Sequence, residues 1–333
     1  MTTTAILPGQ LSAPAPLLDR LRAPGHVRPA VEPELAGGLR EWLEDALAEP
    51  AGRLAVDAPD VRIRKDALTQ VLRCEGHFAA SGAAVRMVTV DLARGSLVDA
   101  LFRQWVTVGK VDEPMTDALA ALAADGDGDG VVAFVTGLPP ERRRALADEV
   151  AVHLERIRAD WPVPSPAWLP RTQERVMVPL AGGRVVLAGV VDLVLGGPAL
   201  DHASVCLVEV KSGARRVEHR ADLHFYALLE TMRSGAPPFR VATYYSATGE
   251  LDVESVGEDV LVGTLQRVVS AATKMCRLST GSPPVLTPNP LCPWCPGLPG
   301  CSPGQRRAKT APPLRADAAG GVGNQRGEWE VAS

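Results

Sequence analysis

Charged residues interrupt two otherwise apolar, valine-rich segments near the middle of the chain, and they restrict what those segments can form. Asp192 lies at the end of one segment, and Glu209 and Lys211 flank Val210 in the next. Residues two apart on a β-strand point to the same face, so Glu209 and Lys211 are predicted to project together. Burying carboxylates and an amine is unfavourable unless a partner, such as a divalent metal ion, offsets the lost hydration.

The surrounding pattern predicts a mixed α/β fold. Strands are expected at residues 175–180, 184–195, 204–211 and 239–247, and helices at about 216–234 and 257–277. Strands followed by helices in this order favour a mixed sheet with helices packed against it. Residues 112–161 are predicted to form a helical insertion, because apolar residues recur there at three- and four-residue steps.

The ends of the chain differ from this central part. Residues 1–60 are predicted to be an irregular extension with short helices, and 61–305 a single α/β domain that ends in a cysteine-rich segment, 291–305. Residues 306–333 are predicted to be a disordered tail. A helix at about 65–80 is expected to carry Cys74, and the run 85–90 is expected to form a strand.

The overall charge argues against a protein that coats nucleic acid over its whole surface. The formal net charge is -4, whereas such proteins are usually basic. Arg215, Arg216 and Arg220 nevertheless form a local basic cluster beside Lys211, which would either contact a DNA backbone or form a solvated helix face. The sequence has no apolar run of membrane-spanning length and no signal peptide, so we expect a cytoplasmic protein without a membrane partner.

The two carboxylates and the lysine suit the hydrolysis of a phosphodiester. Asp192 and Glu209 would supply the oxygen ligands that Mg²⁺ or Mn²⁺ prefers. Such an ion lowers the pKa of a bound water and stabilises charge on phosphate oxygens, and Lys211 would orient that water. The alternative is a salt bridge between neighbouring strands.

A second candidate site lies in the cysteine-rich segment. Cys292, Cys295 and Cys301 follow the spacing C-x2-C-x5-C among prolines and glycines, which indicates a metal centre. The residues alone do not distinguish zinc from an iron–sulfur cluster, since thiolates suit both. The candidates for a fourth ligand are Cys74, Cys206 and Cys276.

In chain order, Cys74, Asp192, the triplet 209–211, Tyr226 and the three C-terminal cysteines resemble a known family. They are similar to the PD-(D/E)xK nucleases, and specifically to the RecB-like exonucleases with an iron–sulfur staple. This group includes the nuclease domain of AddB and the small CRISPR-adaptation exonucleases. The resemblance covers about residues 61–305 and implies a restriction-endonuclease-like mixed sheet flanked by helices.

The resemblance also implies a function and partners. It implies a DNA nuclease, an exonuclease on single strands or DNA ends, in DNA repair, recombination or defence. DNA would be the substrate, and a helicase or another nucleic-acid-processing protein a candidate partner. For the cysteines it implies that Cys74 is the fourth ligand of a [4Fe–4S] cluster, with Zn²⁺ as the alternative. It adds Tyr226 to the catalytic residues.

Two positions depart from the family pattern. Asp99 stands where the family has a histidine, and it is predicted to be a further Mg²⁺ or Mn²⁺ ligand. Asp222, one turn before Tyr226, stands where the family has glutamine. These departures motivate an alternative, a catalytically weak DNA-binding or assembly subunit that keeps the nuclease fold. Another alternative is a zinc-stapled protein of unrelated activity.

Overall fold

The structure is a computed structural model that describes residues 16–22, 27–83, 87–126, 128–199 and 201–310. The helices in these residues are α1 (Pro16–Leu21), α2 (Leu35–Gly52), α3 (Lys65–Arg73), α4 (Glu75–Ala83), α5 (Val90–Val108), α6 (Pro114–Asp125), α7 (Asp129–Thr136), α8 (Pro140–Asp160), α9 (Val217–Ser234), α10 (Glu258–Ser279) and α11 (Ser302–Thr310). The strands are β1 (Val61–Ile63), β2 (Arg171–Leu180), β3 (Val185–Leu195), β4 (Cys206–Lys211), β5 (Arg240–Tyr245) and β6 (Glu250–Ser255). None of the helices within these ranges is long and apolar enough to cross a membrane.

The six strands form one mixed sheet. β3 runs antiparallel to both β2 and β4, β5 is parallel to β4, and β6 is antiparallel to β5. β1 joins the sheet in parallel with β3. The predicted mixed α/β sheet flanked by helices is therefore confirmed, and the predicted helical insertion comprises α6, α7 and α8.

Two different strands, β1 and β4, pair with separate parts of one edge of β3. β2 pairs along nearly the whole of β3, so β1 and β4 must share the other edge. β1 pairs with residues 185–187 of β3 and β4 with residues 193–195. In the described part of the chain, no strand therefore pairs with residues 188–192 on that edge. We call this opening between β1 and β4 the fork.

Apolar layers cover both faces of the sheet. Successive residues of β4 alternate between them: Leu207 belongs to one buried cluster, and Cys206 and Val208 belong to the other. The first cluster contains side chains of α2, α3, α9 and α10. The second contains side chains of α1, α5, α6, α7 and α8. The fork therefore lies between two helical layers, which keep it rigid.

Local signals explain where α5, which runs past the fork, begins and ends. The Thr89 hydroxyl accepts a hydrogen bond from the Leu92 N–H at 3.2 Å, which caps the first turn. Gly109 ends the helix with a φ of 72°, a left-handed conformation that glycine adopts readily. The strand expected at 85–90 is not found in the described part of that run. Residues 84–86 lie outside the described residues, and 87–89 lead directly into α5.

Other expectations for the ends of the chain differ from the structure. α2 is an 18-residue helix whose Leu43 and Leu47 are fully buried, so the segment before residue 60 contributes to the core. Residues 306–310 belong to α11, and 311–333 of the expected tail lie outside the described residues. Cys74 has an extended backbone and separates α3 from α4, so the helix expected at 65–80 is interrupted at this residue. The predicted domain boundaries remain predictions.

Candidate active site

Asp192 lies in the fork, where β3 and β4 separate. Leu193 and Val208 form the last residue pair between the two strands. Beyond this pair the Val210 N–H donates to the Asp192 carboxylate at 2.8 Å rather than to the backbone of β3. The side chain of Asp192 thus accepts the hydrogen bond that the β3 backbone would otherwise accept. Because Val210 is the neighbour of Glu209 in the sequence, this bond also holds Asp192 close to Glu209.

The strand opposite Asp192 is also irregular. The pairing of β2 with β3 skips Gln173 and Asp192, which lie between the pairs Thr172–Leu193 and Glu174–Val191. Gln173 has a φ of 53°, which is unusual for a residue other than glycine. Along β3, Val191 packs in one apolar cluster and Leu193 in the other, so the normal alternation of faces is broken at Asp192. Such strained backbone is most often found at functional sites.

Glu209 is the most buried charged group in the fork, with a side chain only 2% exposed. Its Oε1 accepts a hydrogen bond from Lys211 Nζ at 2.5 Å and another from Lys65 Nζ. Its Oε2 is buried and has no hydrogen-bond partner among the described residues. A buried carboxylate oxygen without a donor is costly, which indicates a missing partner at this position.

Lys65 was not among the residues predicted from the sequence. It is the first residue of α3, directly after β1, and its ammonium lies 4.8 Å from the centre of the Tyr226 ring. The pairing of β1 with β3 brings it into the fork, and that long-range pairing left no local pattern in the sequence. The only available signal was rarity, because five of the 35 lysines and arginines are lysine.

Asp99 approaches the same site from α5. Arg103, one turn further along α5, pairs with it at 3.2 Å, and the Gln173 amide donates to both of its oxygens. Gly95 of α5 lies beside the loop after β4, and a Cβ there would be in ordinary contact with the Ser212 hydroxyl, at 3.5 Å. The four residues Asp99, Asp192, Glu209 and Lys211 interact electrostatically with one another.

The two central carboxylates titrate in opposite directions. Burial raises the pKa of Asp192 well above its usual range, and the neighbouring Glu209 raises it further. Burial alone would also raise the pKa of Glu209, but Lys211 and Lys65 outweigh that effect and lower it. Burial raises the pKa of Asp99 to about 6, against the opposing effect of Arg103. Without a metal, the proton shared by these groups therefore favours Asp192 over Glu209.

Tyr226 and Asp222 reach the fork from α9. Tyr226 is 3% exposed, and its ring packs on Gly189, where a Cβ would come within 2.6 Å of it. This contact explains why a glycine interrupts the valines of β3. Asp222 is half-buried, and burial raises its pKa to about 6 in spite of the nearby Lys65 and Lys211.

The predicted DNA-binding arginines lie at the start of α9: Arg215 and Arg216 precede it, and Arg220 is in its first turn. Arg215 pairs with Asp252 of β6 at 2.7 Å, and Arg220 donates two hydrogen bonds to Glu254. Arg216 is the N-cap residue of α9. Exposed ion pairs contribute little to stability, so the pair with Asp252 would leave Arg215 available to a phosphate. Glu254 holds Arg220 more firmly, through two hydrogen bonds.

The four predicted cluster cysteines surround one cavity. Cys74 lies between α3 and α4, and the other three lie in the turns before α11; all four line a cavity of about 190 Å³. A single water molecule needs roughly 10–15 Å³ of such space, so the cavity would hold a group of several atoms. Cys206 and Cys276, the other candidates for a fourth ligand, do not line the cavity and belong to the apolar clusters.

Each of these four sulfurs accepts a backbone N–H. The donors are Thr287 to Cys74 at 3.4 Å, Asn289 to Cys292 at 3.2 Å, Gly304 to Cys301 at 3.3 Å, and Gly297 to Cys295. Hydrogen bonds of this kind stabilise thiolates and tune metal–sulfur centres. Within the described ranges, however, no three histidine, cysteine or acidic side chains are close enough to hold a single metal ion.

A buried glutamate ties the cysteine-rich segment to the domain. Glu75 follows Cys74, is 3% exposed, and accepts hydrogen bonds from Lys274 at 3.1 Å and from Arg277. It also accepts the Val285 N–H at 2.8 Å. It therefore fixes the start of α4 and the chain after α10 in one place, which brings Cys74 and the C-terminal cysteines together.

Comparisons with known proteins add little to this description. No protein-family model matches the chain, and no curated protein matches it. Among solved structures, the chain is similar to one described as "Putative exonuclease" from Eubacterium rectale, with 13% identity and a TM-score of 0.48. The match covers 77% of this chain and 91% of that one. At this identity and TM-score, the likeness carries no argument about chemistry.

Proposed function

We propose that this protein is a metal-dependent DNA nuclease of the PD-(D/E)xK type, similar to RecB-like exonucleases. The observation that carries the proposal is the environment of Glu209. One of its oxygens accepts hydrogen bonds from two lysines, and the other is buried near the Asp192 carboxylate without a donor among the described residues. A buried carboxylate oxygen without a donor is costly, and a bound cation would satisfy it.

The donor set fits a hard divalent cation. Asp192, Glu209 and Asp99 would offer carboxylate oxygens, and oxygen ligands suit Mg²⁺ and Mn²⁺. In the described structure these three side chains are not yet gathered around one point, so binding an ion would draw them together. When bound, such an ion would lower the pKa of a coordinated water and neutralise charge on a phosphate. The residues of the chain would hold and orient the reactants around it. Lys211 lies beside Glu209 and would donate a hydrogen bond to the attacking water or to the phosphate.

The proposed reaction is the hydrolysis of a phosphodiester. Water attacks phosphorus, one phosphorus–oxygen ester bond breaks, and the leaving oxygen gains a proton while the attacking water loses one. Tyr226 forms a rigid wall of the site through its contact with Gly189. Arg215, Arg216 and Arg220 would bind the backbone of a DNA single strand or end, and we propose exonuclease activity on such substrates.

We propose further that Cys74, Cys292, Cys295 and Cys301 hold a [4Fe–4S] cluster. One observation supports a cluster over the alternative, a single Zn²⁺. The cavity between the sulfurs has room for several atoms. The centre would join segments more than two hundred residues apart and so stabilise the domain.

A cleavage assay tests the nuclease proposal. Purified protein is incubated with end-labelled single-stranded DNA in Mg²⁺, in Mn²⁺ and in EDTA. Cutting is expected with either metal and not in EDTA, and Glu209→Gln and Lys211→Ala should each reduce it at least about 100-fold. Lys110→Met is the matched control, since this lysine is 70% exposed and pairs only with Asp112 among the described contacts.

The same assay separates the alternative functions. Tight DNA binding without cutting in either metal would contradict the nuclease proposal and favour a binding or assembly subunit. Absorbance and metal analysis of protein purified without oxygen test the cysteine centre. A brown protein with about four iron atoms per chain is expected, and a colourless protein with one zinc would refute the cluster.

A further inference from the structure

We propose that Lys65 is a second catalytic lysine, which contacts a non-bridging oxygen of the phosphate that is cleaved. The inference rests on the proposed function and assigns a residue outside the carboxylate–lysine motif. It starts from the position of Lys65 in the fork, two residues after the end of β1, which pairs with β3. The two ammonium groups donate to the same oxygen of Glu209.

The placement of Lys65 suits contact with a ligand. Its side chain is 27% exposed, against 2% for Glu209, so it lies between the buried carboxylates and solvent. The face of the Tyr226 ring lies 4.8 Å from its ammonium and supports the cation from one side. An ammonium has three donors, and a single hydrogen bond to Glu209 leaves two for another acceptor.

Lys65 balances the negative charge of the carboxylates in the fork. Asp99, Asp192, Glu209 and Asp222 bring four negative charges when ionised. Arg103, which pairs with Asp99, also pairs with Asp125, so these two charges offset each other. One divalent ion and Lys211 would supply three positive charges, which leaves a net negative site that repels a phosphate. Lys65 supplies the fourth positive charge and removes that repulsion, and its charge acts on Glu209, Asp192 and Asp222 alike.

The presence of lysine rather than arginine at position 65 favours a compact positive charge that can change its partner. The chain uses arginine for 30 of its 35 lysines and arginines, yet two of its five lysines meet at one glutamate. Arginine would bind Glu209 through two parallel hydrogen bonds and would remain committed to it. A lysine ammonium is compact and can shift from a carboxylate to a phosphate oxygen over a short distance.

Steady-state kinetics of three variants test this role. Lys65→Met removes the charge but keeps a side chain of similar length, and Lys65→Arg keeps the charge. Lys274→Met is the matched control, because Lys274 is likewise a partly exposed lysine, 33% exposed, that donates to a glutamate only 3% exposed. Thermal unfolding of each variant shows whether it is folded at the assay temperature.

The expected result is a loss in kcat that is specific to Lys65. Lys65→Met should lower kcat about 100-fold, the usual effect of removing one donor to a developing oxyanion, with only a few-fold change in KM. Lys65→Arg should recover part of that loss. Lys274→Met should change kcat less than three-fold even if its Tm falls as much as that of Lys65→Met.

Two further measurements distinguish contact with phosphate from a structural role. Replacing one non-bridging oxygen of the scissile phosphate with sulfur should slow the wild type for one stereoisomer, and this penalty should shrink in Lys65→Met. Binding of the same oligonucleotide in Ca²⁺, followed by fluorescence anisotropy, should weaken several-fold in Lys65→Met and not in Lys274→Met.

Equal kcat values for Lys65→Met and Lys274→Met, or an unchanged sulfur penalty in Lys65→Met, would overturn the inference and leave Lys65 as a counter-ion of Glu209. Failure of the wild type to cut DNA in either metal would instead contradict the proposed function. In that case the Ca²⁺ binding data decide: unchanged affinity in Lys65→Met refutes the phosphate contact, and weaker affinity supports it.

Discussion

Asp222 provides a test of the electrostatics of the fork that does not depend on catalysis. Burial raises the pKa of its carboxyl from the usual 3.8 to about 6, against the attraction of Lys65 and Lys211. The folded state therefore binds a proton more tightly at Asp222 than the unfolded state does. A group with this sign lowers stability as pH rises between the two pKa values, and the full penalty is present above the higher one.

We predict that Asp222→Asn stabilises the protein dialysed free of Mg²⁺ and Mn²⁺. A difference of about two pH units corresponds to about 3 kcal/mol at 1.36 kcal/mol per unit. Asp222 is half-buried, and screening by solvent should reduce this to about 1–2 kcal/mol at pH 8. The gain should shrink as pH falls below 6 and disappear well below pH 3.8, where the carboxyl is protonated in both states.

Urea unfolding followed by circular dichroism at pH 4.5, 6 and 8 measures this difference directly. Asp201→Asn is a suitable control, because Asp201 is an exposed aspartate whose side chain is 86% accessible. Destabilisation by Asp222→Asn at pH 8 would refute the reasoning. It would mean that the attraction of Lys65 and Lys211 outweighs burial and that the pKa of Asp222 is lowered.

Three other predictions concern the rest of the site. Glu75→Gln should lower the free energy of unfolding by about 2–3 kcal/mol, since Lys274 and Arg277 lose their shared anion, and limited proteolysis should then cut residues 283–301 faster. Gly189→Ala should cost about 1–3 kcal/mol and lower kcat, because its Cβ displaces Tyr226; an unchanged Tm would contradict this packing. Removing the proposed cluster by chelation should destabilise the protein by about 5 kcal/mol if the staple acts as a cross-link, and Cys74→Ser should show no further loss on chelation.

The strands that bear the site could be predicted because they are encoded locally. Valine-rich runs with charged residues at fixed steps indicate β3 and β4 directly, and the i, i+2 spacing of Glu209 and Lys211 brings them to one face. β1 could not be predicted in this way. It has three residues, and its pairing with β3 joins segments far apart in the sequence, so nothing near Lys65 indicated the fork.

The segment around Cys74 shows a different limit of local reasoning. The apolar spacing before Cys74 is helical, and no proline or glycine at that residue predicts a break. The backbone at Cys74 is nevertheless extended, with φ of −165° and ψ of 116°, and its sulfur accepts the Thr287 N–H. Contacts from the other end of the chain thus override a local helical preference. Glu75 holds that distant segment in place, since it pairs with Lys274 and Arg277 of α10 and also accepts the Val285 N–H.

The two departures from the family pattern have a common physical feature. Asp99 adds a negative charge where the resemblance implies histidine, and Arg103 and Gln173 lie against it. Asp222 adds one where the resemblance implies glutamine, and its nearest balancing cation is Lys65. A fork that had lost its function would be expected to lose its buried charges, because each one destabilises the fold. Keeping the carboxylates together with matching cations favours a site that still binds a charged ligand.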